Sequence, residues 1–307
     1  NIWSRVFPTR KTGVRWPGLS MRSHADPASG LHGHRALLKR ALRATARNTR
    51  SIRPLYNRIN EYFYHYIRDR YPEVLTEKQT VEQILAKGIS LARYADGEFR
   101  LCRGKSIARQ PASPALSSRL REILRSEHPN LAVGIPPFPD RARITDPTMD
   151  SFFRKFYFRE WESVHYMKDK VYLSSAALWP DHCGLPPEEV PAHIERFRQV
   201  WEDRKVTFVC NDRFREAMSS SDLFDNTKSR SFIRAPDKNA YGCYDDLLEQ
   251  SIRRPADSLF LLACGPTATV LACDLAARGY QAVDVGDILE RTYPWRNNRR
   301  PSGDTPE

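Results

Sequence analysis

The sequence predicts an α/β domain with a largely parallel sheet and helices on both faces. Two observations carry this reading. From about residue 75, short apolar runs alternate with helical patterns. Those runs are continuously apolar, as in VTFVC at 206–210 and SLFLLAC at 258–264, which marks strands covered on both sides.

The elements follow in order. Thr76 with Gln79 has the pattern of a capping box and opens a helix that runs to Lys87. ISLARYA (89–95) reads as a strand, SPALSSRLREILRS (113–126) as a helix and NLAVGIP (130–136) as a strand. A helix-rich stretch covers 147–168, and VYLSSAAL (171–178) fits neither period cleanly. PEEVPAHIERFRQVWED (187–203) is an amphipathic helix that leads into VTFVC. DDLLEQSIRR (245–254) is a helix before SLFLLAC, and GPTATVLACDLAARG (265–279) is a helix ended by Gly279. YQAVDVG (280–286) is the last strand, and no internal repeat is present.

At 40% hydrophobic and 28% charged residues, the chain of 307 residues has material for a sizeable core. No apolar run approaches the ~18–20 residues that span a bilayer. The net charge of +12 is confined to one end. Residues 1–72 hold 15 Lys/Arg against 3 Asp/Glu, which leaves 34 of each sign in 73–307. A nucleic-acid reading based on overall charge therefore loses its force, and no nucleic-acid partner is expected.

The expected organisation is a flexible basic tail at 1–33, a basic amphipathic helical arm at 34–74, a ligand-binding domain at 75–296 and a polar tail at 297–307. In the arm, Leu37, Leu38, Ala41 and Leu42 and then Leu55, Ile59, Tyr62, Phe63, Tyr66 and Ile67 fall at helical spacing among arginines. Such a surface suits an anionic membrane or a packing partner. The expected location is cytoplasmic, with peripheral contact at the inner membrane face as an option. The six cysteines, at 102, 183, 210, 243, 264 and 273, form no CxxC pair or zinc-finger spacing and read as reduced structural thiols.

Four segments can carry chemistry. In RYADGEF (93–99), Asp96 and Glu98 stand two apart after a strand. In an extended segment they would point the same way and could hold Mn²⁺ or Mg²⁺ through hard oxygens; an ordinary acidic turn is the alternative. The second segment is the junction at Gly265, Pro266 and Thr267, where a strand meets a helix whose free N–H groups favour a phosphate; a plain Gly-Pro turn with a Thr cap is the alternative. The third, 221–248, offers Asp225, Asn226, Lys228, Arg234, Asn239 and Tyr241, either to read a base or sugar or simply to form a polar loop. The fourth, VDVGDILERTYPW (283–295), gathers Asp284, Asp287 and Glu290 at the end of the last strand, as a base, a metal ligand or a solvated turn. The dinucleotide pattern GxGxxG is absent.

Taken together, RYADGEF, LFDNTKS with IRAP and NAY, GPTATVLACDLAARGYQAVDVG and the terminal acidic-aromatic segment resemble the GT-D fold glycosyltransferases. The likeness runs over about residues 90–295. It implies a Rossmann-like domain that moves a sugar from a UDP-sugar to a saccharide or glycoconjugate acceptor, as a hexosyltransferase of polysaccharide or glycoprotein biosynthesis. It also implies a metal at Asp96 and Glu98, with Arg93 nearby. The family's final segment reads GH-x-D-x-E-Y-x-W, whereas Asp287 stands here in place of the histidine. On this reading Arg93, Asn239, Tyr241, Gly265, Pro266 and Thr267 bind substrate, and Glu290 or Asp287 is the acceptor's base. A non-catalytic nucleotide-sugar or carbohydrate-binding subunit of a glycosylation complex is the alternative.

Overall fold

The computed structural model describes residues 61–62, 64–138, 161–179 and 185–296. The tails at 1–33 and 297–307, most of the arm, the stretch 147–160 and Cys183 lie outside the described residues. The chain divides into two units, Asn1–Asp69 with Asp146–Trp161 and Arg70–Thr145 with Glu162–Glu307. In the first, residues 61–62 and 64–68 are helical, with the Tyr62 and Tyr66 rings 6.2 Å apart.

The second unit holds a seven-stranded sheet whose pairings are all parallel. Its strands are β1 (Ser90–Arg93), β2 (Leu131–Ile135), β3 (Leu173–Ser174), β4 (Lys205–Cys210), β5 (Ser229–Arg234), β6 (Leu259–Ala263) and β7 (Gln281–Asp284). Their order across the sheet is β3-β2-β1-β7-β6-β4-β5. Five of these strands lie within 2 residues of where hydrophobic runs place them, and β3 falls inside the stretch 171–178 that fitted neither period. β5 was expected as polar loop; its SRSFIR buries only Ile233 fully, as an edge strand can.

The α-helices are α1 (Glu77–Lys87), α2 (Asp96–Cys102), α3 (Pro114–Leu124), α4 (Val190–Arg198), α5 (Asp212–Met218), α6 (Tyr244–Ile252), α7 (Pro266–Ala276) and α8 (Ile288–Arg296). The capping box that opens α1 is present: the Thr76 hydroxyl accepts from the Gln79 N–H, and the Gln79 side chain accepts from the Thr76 N–H. Helices α2, α3, α6 and α7 pack into one layer, and α1, α4, α5 and α8 into the other. Beneath the second layer runs an aromatic chain, Phe197–Trp201–Phe224–Phe208–Phe232, with neighbouring ring centroids 5.0–5.9 Å apart. The five described cysteines are free thiols, and burial pushes Cys210 up to about 12.

Topology decides where a ligand can sit. β1 hands the chain to α2 in the first layer, while β7, its neighbour, hands it to α8 in the second. Helices leaving two adjacent parallel strands in opposite directions open a crevice at the strands' C-terminal ends. β1 and β7 share a single register pair, Leu91 with Val283, so little pairing spans the seam below that crevice.

Candidate functional site

Four elements deliver side chains to the β1–β7 crevice. Arg93 ends β1, and its side chain is only 9% exposed. Its guanidinium lies over the Trp179 ring, 3.7 Å from the centroid. Its Nε is 3.7 Å from Asp284 Oδ1, at the end of β7. A Cβ on Gly286 would stand 2.0 Å from Arg93 Nη2, and Gly286 has φ +51°, so glycine is required there twice over. Despite this enclosure, Arg93 Nε and Nη1 have no hydrogen-bond partner.

The carboxylates around this cation are tuned by one another. Burial pushes Asp284 up to about 7; Arg93 opposes the rise, Glu98 adds to it, and the Gly286 N–H opposes it by donating to Asp284 Oδ1 at 3.1 Å. An ion pair alone would hold Asp284 low, so here burial outweighs the guanidinium. Burial likewise raises Glu98; Arg93 and the Ala95 N–H counter it, and Asp96 adds to it. These couplings bring Arg93, Glu98 and Asp284 together, with Asp96 and Asp287 alongside. Asp284 was named from sequence beside Asp287 and Glu290, but the role of base was given to the other two.

The acidic motif differs locally from expectation. Asp96 and Glu98 lie in the first turn of α2, not in an extended turn, so spacing by two no longer aims them the same way. Glu98 Oε2 folds back to accept from the Ala95 N–H at 2.8 Å and caps the helix. Asp96 stands exposed at the same N-terminus.

The junction after β6 stands where the apolar run places it. Gly265 adopts φ 62°, ψ −148°, a conformation essentially reserved for glycine, and α7 starts at Pro266. The Thr269 hydroxyl donates to the Arg93 carbonyl at 2.9 Å and ties α7 to the end of β1. The Thr267 hydroxyl, buried in the first turn, has no partner. Helix dipole, free N–H groups and an unpaired hydroxyl thus meet beside Arg93.

Asn239 and Tyr241 belong to a turn clamped by a residue the sequence reading missed, Gln110. Its Nε2 donates to Asn239 Oδ1 at 2.9 Å, and its Oε1 accepts from the Tyr241 N–H at 3.2 Å. Asn239 is left-handed, with φ 55°, and its N–H donates to the Arg109 carbonyl at 2.7 Å. A buried glutamine has no sequence signature that separates it from a surface one.

Other members of the expected set lie elsewhere. Asp225 pairs with Arg230 at 2.8 Å, and the Asn226 Nδ2 donates to the Arg198 carbonyl at 3.0 Å. Both precede β5, at the rim opposite the crevice, so LFDN shapes the strand entry. Glu290 is exposed in α8 and pairs with Arg213 at 3.4 Å, while Asp287 is exposed at the turn above Asp284. Among the described residues, no group of three or more His, Cys, Asp or Glu is gathered tightly enough to hold an ion.

Residues 91–301 match the family described as the glycosyltransferase GT-D fold. The chain belongs to that family. A probable glycosyl transferase Gly from Streptococcus gordonii is 30% identical over 237 residues, 74% of this chain and 33% of that protein. Glycosyltransferase GlyD from Streptococcus pneumoniae serotype 4 is 30% identical over 232 residues, 71% of this chain and 27% of that one. The chain thus spans a third or less of these relatives. A solved domain of unknown function 1792, described as having a distinct glycosyltransferase fold, matches with TM-score 0.71 and 26% identity, over 79% of this chain and 88% of its own. A glycosyltransferase of that type from Streptococcus sanguinis matches with TM-score 0.66 and 28% identity, over 74% and 85%. The second unit is accordingly a glycosyltransferase domain of GT-D fold.

Proposed function

We propose that this domain transfers a sugar from a UDP-sugar to a saccharide or glycoconjugate acceptor, with Mn²⁺ or Mg²⁺ as cofactor. The observation that carries the reading is Arg93, a buried cation with two unpaired donors at the switch-point crevice of a GT-D domain. Beside it, the N-terminus of α7 offers N–H groups at Gly265, Pro266 and Thr267 (less the proline's own) to the same anion.

Asp96 and Glu98 would hold such an ion through hard carboxylate oxygens, with Glu98 turning from its cap on the Ala95 N–H. The ion would supply charge neutralisation to a departing diphosphate. Arg93 and α7 hold that diphosphate, and the Asn239–Tyr241 turn orients the nucleoside or sugar. Asp287, next to Asp284 at the mouth of the crevice, takes the acceptor proton, with Glu290, paired with Arg213 on the surface, as the alternative.

The test is thermal melting with UDP and UDP-sugars, with and without Mn²⁺, followed by release of UDP from the donor. UDP-selective stabilisation that Mn²⁺ increases, and turnover that EDTA removes, are expected. No shift with any nucleotide-sugar in the presence of Mn²⁺ would overturn the reading. The exposed Asp287 and Glu290 favour one second reading, a donor-binding subunit without turnover, which UDP binding with no transfer to any acceptor would establish. Among the described residues no helix is long and apolar enough to cross a membrane. A cytoplasmic location, and contact of residues 34–74 with an inner membrane face or a partner protein, belong to this proposal and rest on the charge pattern.

A further inference from the structure

Arg93 is held in a manner that its charge alone does not require. Two separate segments enclose it: the turn after β3 supplies Trp179, and the end of β7 with the turn after it supplies Asp284 and Gly286. The guanidinium lies on the indole at 3.7 Å, and Nη2 occupies the space that a side chain at position 286 would need. Trp179 is itself fixed, because its Nε1 donates to the Val285 carbonyl at 3.4 Å. Asp284, the nearest carboxylate, stands 3.7 Å from Nε, beyond hydrogen-bond reach. A guanidinium left with open donors in a nearly dry site is costly unless a ligand completes it.

We infer that Trp179 and Gly286 form a cradle that fixes the plane of the Arg93 guanidinium for a diphosphate, which makes Trp179 a positioning residue for anion recognition. The inference deepens the donor reading and rests on it for the identity of the nucleotide. Its physical basis is orientation. Stacking on an aromatic face fixes the plane of a guanidinium without using its N–H groups, so the fork stays free for two oxygens. A lysine in the same place would be a point charge and would lose that directionality. The tie from the Thr269 hydroxyl to the Arg93 carbonyl sets the backbone of the same residue against the first turns of α7.

The test is calorimetric titration of the full chain with inorganic pyrophosphate, UDP and uridine, in the absence of divalent metal. Wild type should bind pyrophosphate and UDP. Trp179→Leu should weaken both by about tenfold or more and leave uridine unchanged, whereas Trp179→Phe should stay within about threefold. Equal loss for uridine and UDP in Trp179→Leu, or an unchanged pyrophosphate affinity, would overturn the inference. If Trp179→Leu does not fold, Trp179→Phe decides by emission. The change in tryptophan fluorescence on pyrophosphate binding should be mostly lost while affinity is kept, and an undiminished change overturns the cradle. Pyrophosphate binding with this dependence on Trp179, but no preference for UDP over pyrophosphate, would remove the UDP donor and leave the cradle standing. Binding of neither anion would overturn both.

Discussion

The two sides of the crevice are built to different standards. On the β1 side, Arg93 is enclosed by two other segments, and Glu98 is bonded back to its own helix. On the α8 side, Asp287 and Glu290 are exposed, and Glu290 makes a surface ion pair with Arg213. The difference teaches that the cation proposed to recognise the anion is part of the core, while the carboxylates proposed to meet the acceptor belong to the surface. Binding and turnover should therefore separate on mutation.

Arg93→Met should have the largest effect, cutting UDP affinity by about a hundredfold, because it removes a buried charge-assisted pair. Calorimetry checks it, and retained affinity would erase the contrast between the two sides. Asp287→Asn should lower kcat by about a hundredfold with little change in UDP affinity, the split expected of a base. A loss of affinity instead would place Asp287 on the binding side. Gly286→Ala should destabilise the fold by about 1–3 kcal/mol in urea unfolding, since it adds both a clash and a disfavoured φ. Glu290→Gln should change UDP affinity and Tm very little, as exposed pairs contribute about 0–1 kcal/mol.

The smallest effect concerns pH and lies away from the crevice. His193, buried in α4, bonds through Nε2 to the Ala177 carbonyl, and burial holds its pKa below the ordinary histidine value. The native state therefore binds that proton less readily than the unfolded chain. Its contribution is present above the unfolded value of about 6.5 and is lost as pH falls through it. His193→Gln should flatten the stability profile between pH 7 and 5, measured by urea midpoints; an unchanged slope would rule out His193 as the source.

Legibility followed burial. The strands that carry Arg93, Gly265 and Asp284 were readable because continuous apolar runs announce a covered sheet, and the Thr76–Gln79 box was readable because capping is local. Helix α2 was missed because seven residues with a glycine at the second position carry little periodicity. Strand β5 was missed because an edge strand needs only one apolar face. In the site, the glycine junction that opens α7 was visible as Gly-Pro-Thr after a strand. The enclosure of Arg93 was not, since Trp179 and Gly286 are 86 and 193 residues away along the chain and only the sheet order brings them together.

Strand order also bears on how the domain is made. β7 is the last of the seven described strands along the chain, yet it lies at the sheet's centre, between β1 and β6. A nascent chain that ends before Gln281 can build only two three-stranded pieces, β3-β2-β1 and β6-β4-β5, each with a bare inner edge. The same strand brings Asp284, and the turn after it brings Gly286. Completion of the sheet and completion of the anion site are therefore one event, and no partly made chain can present a working pocket.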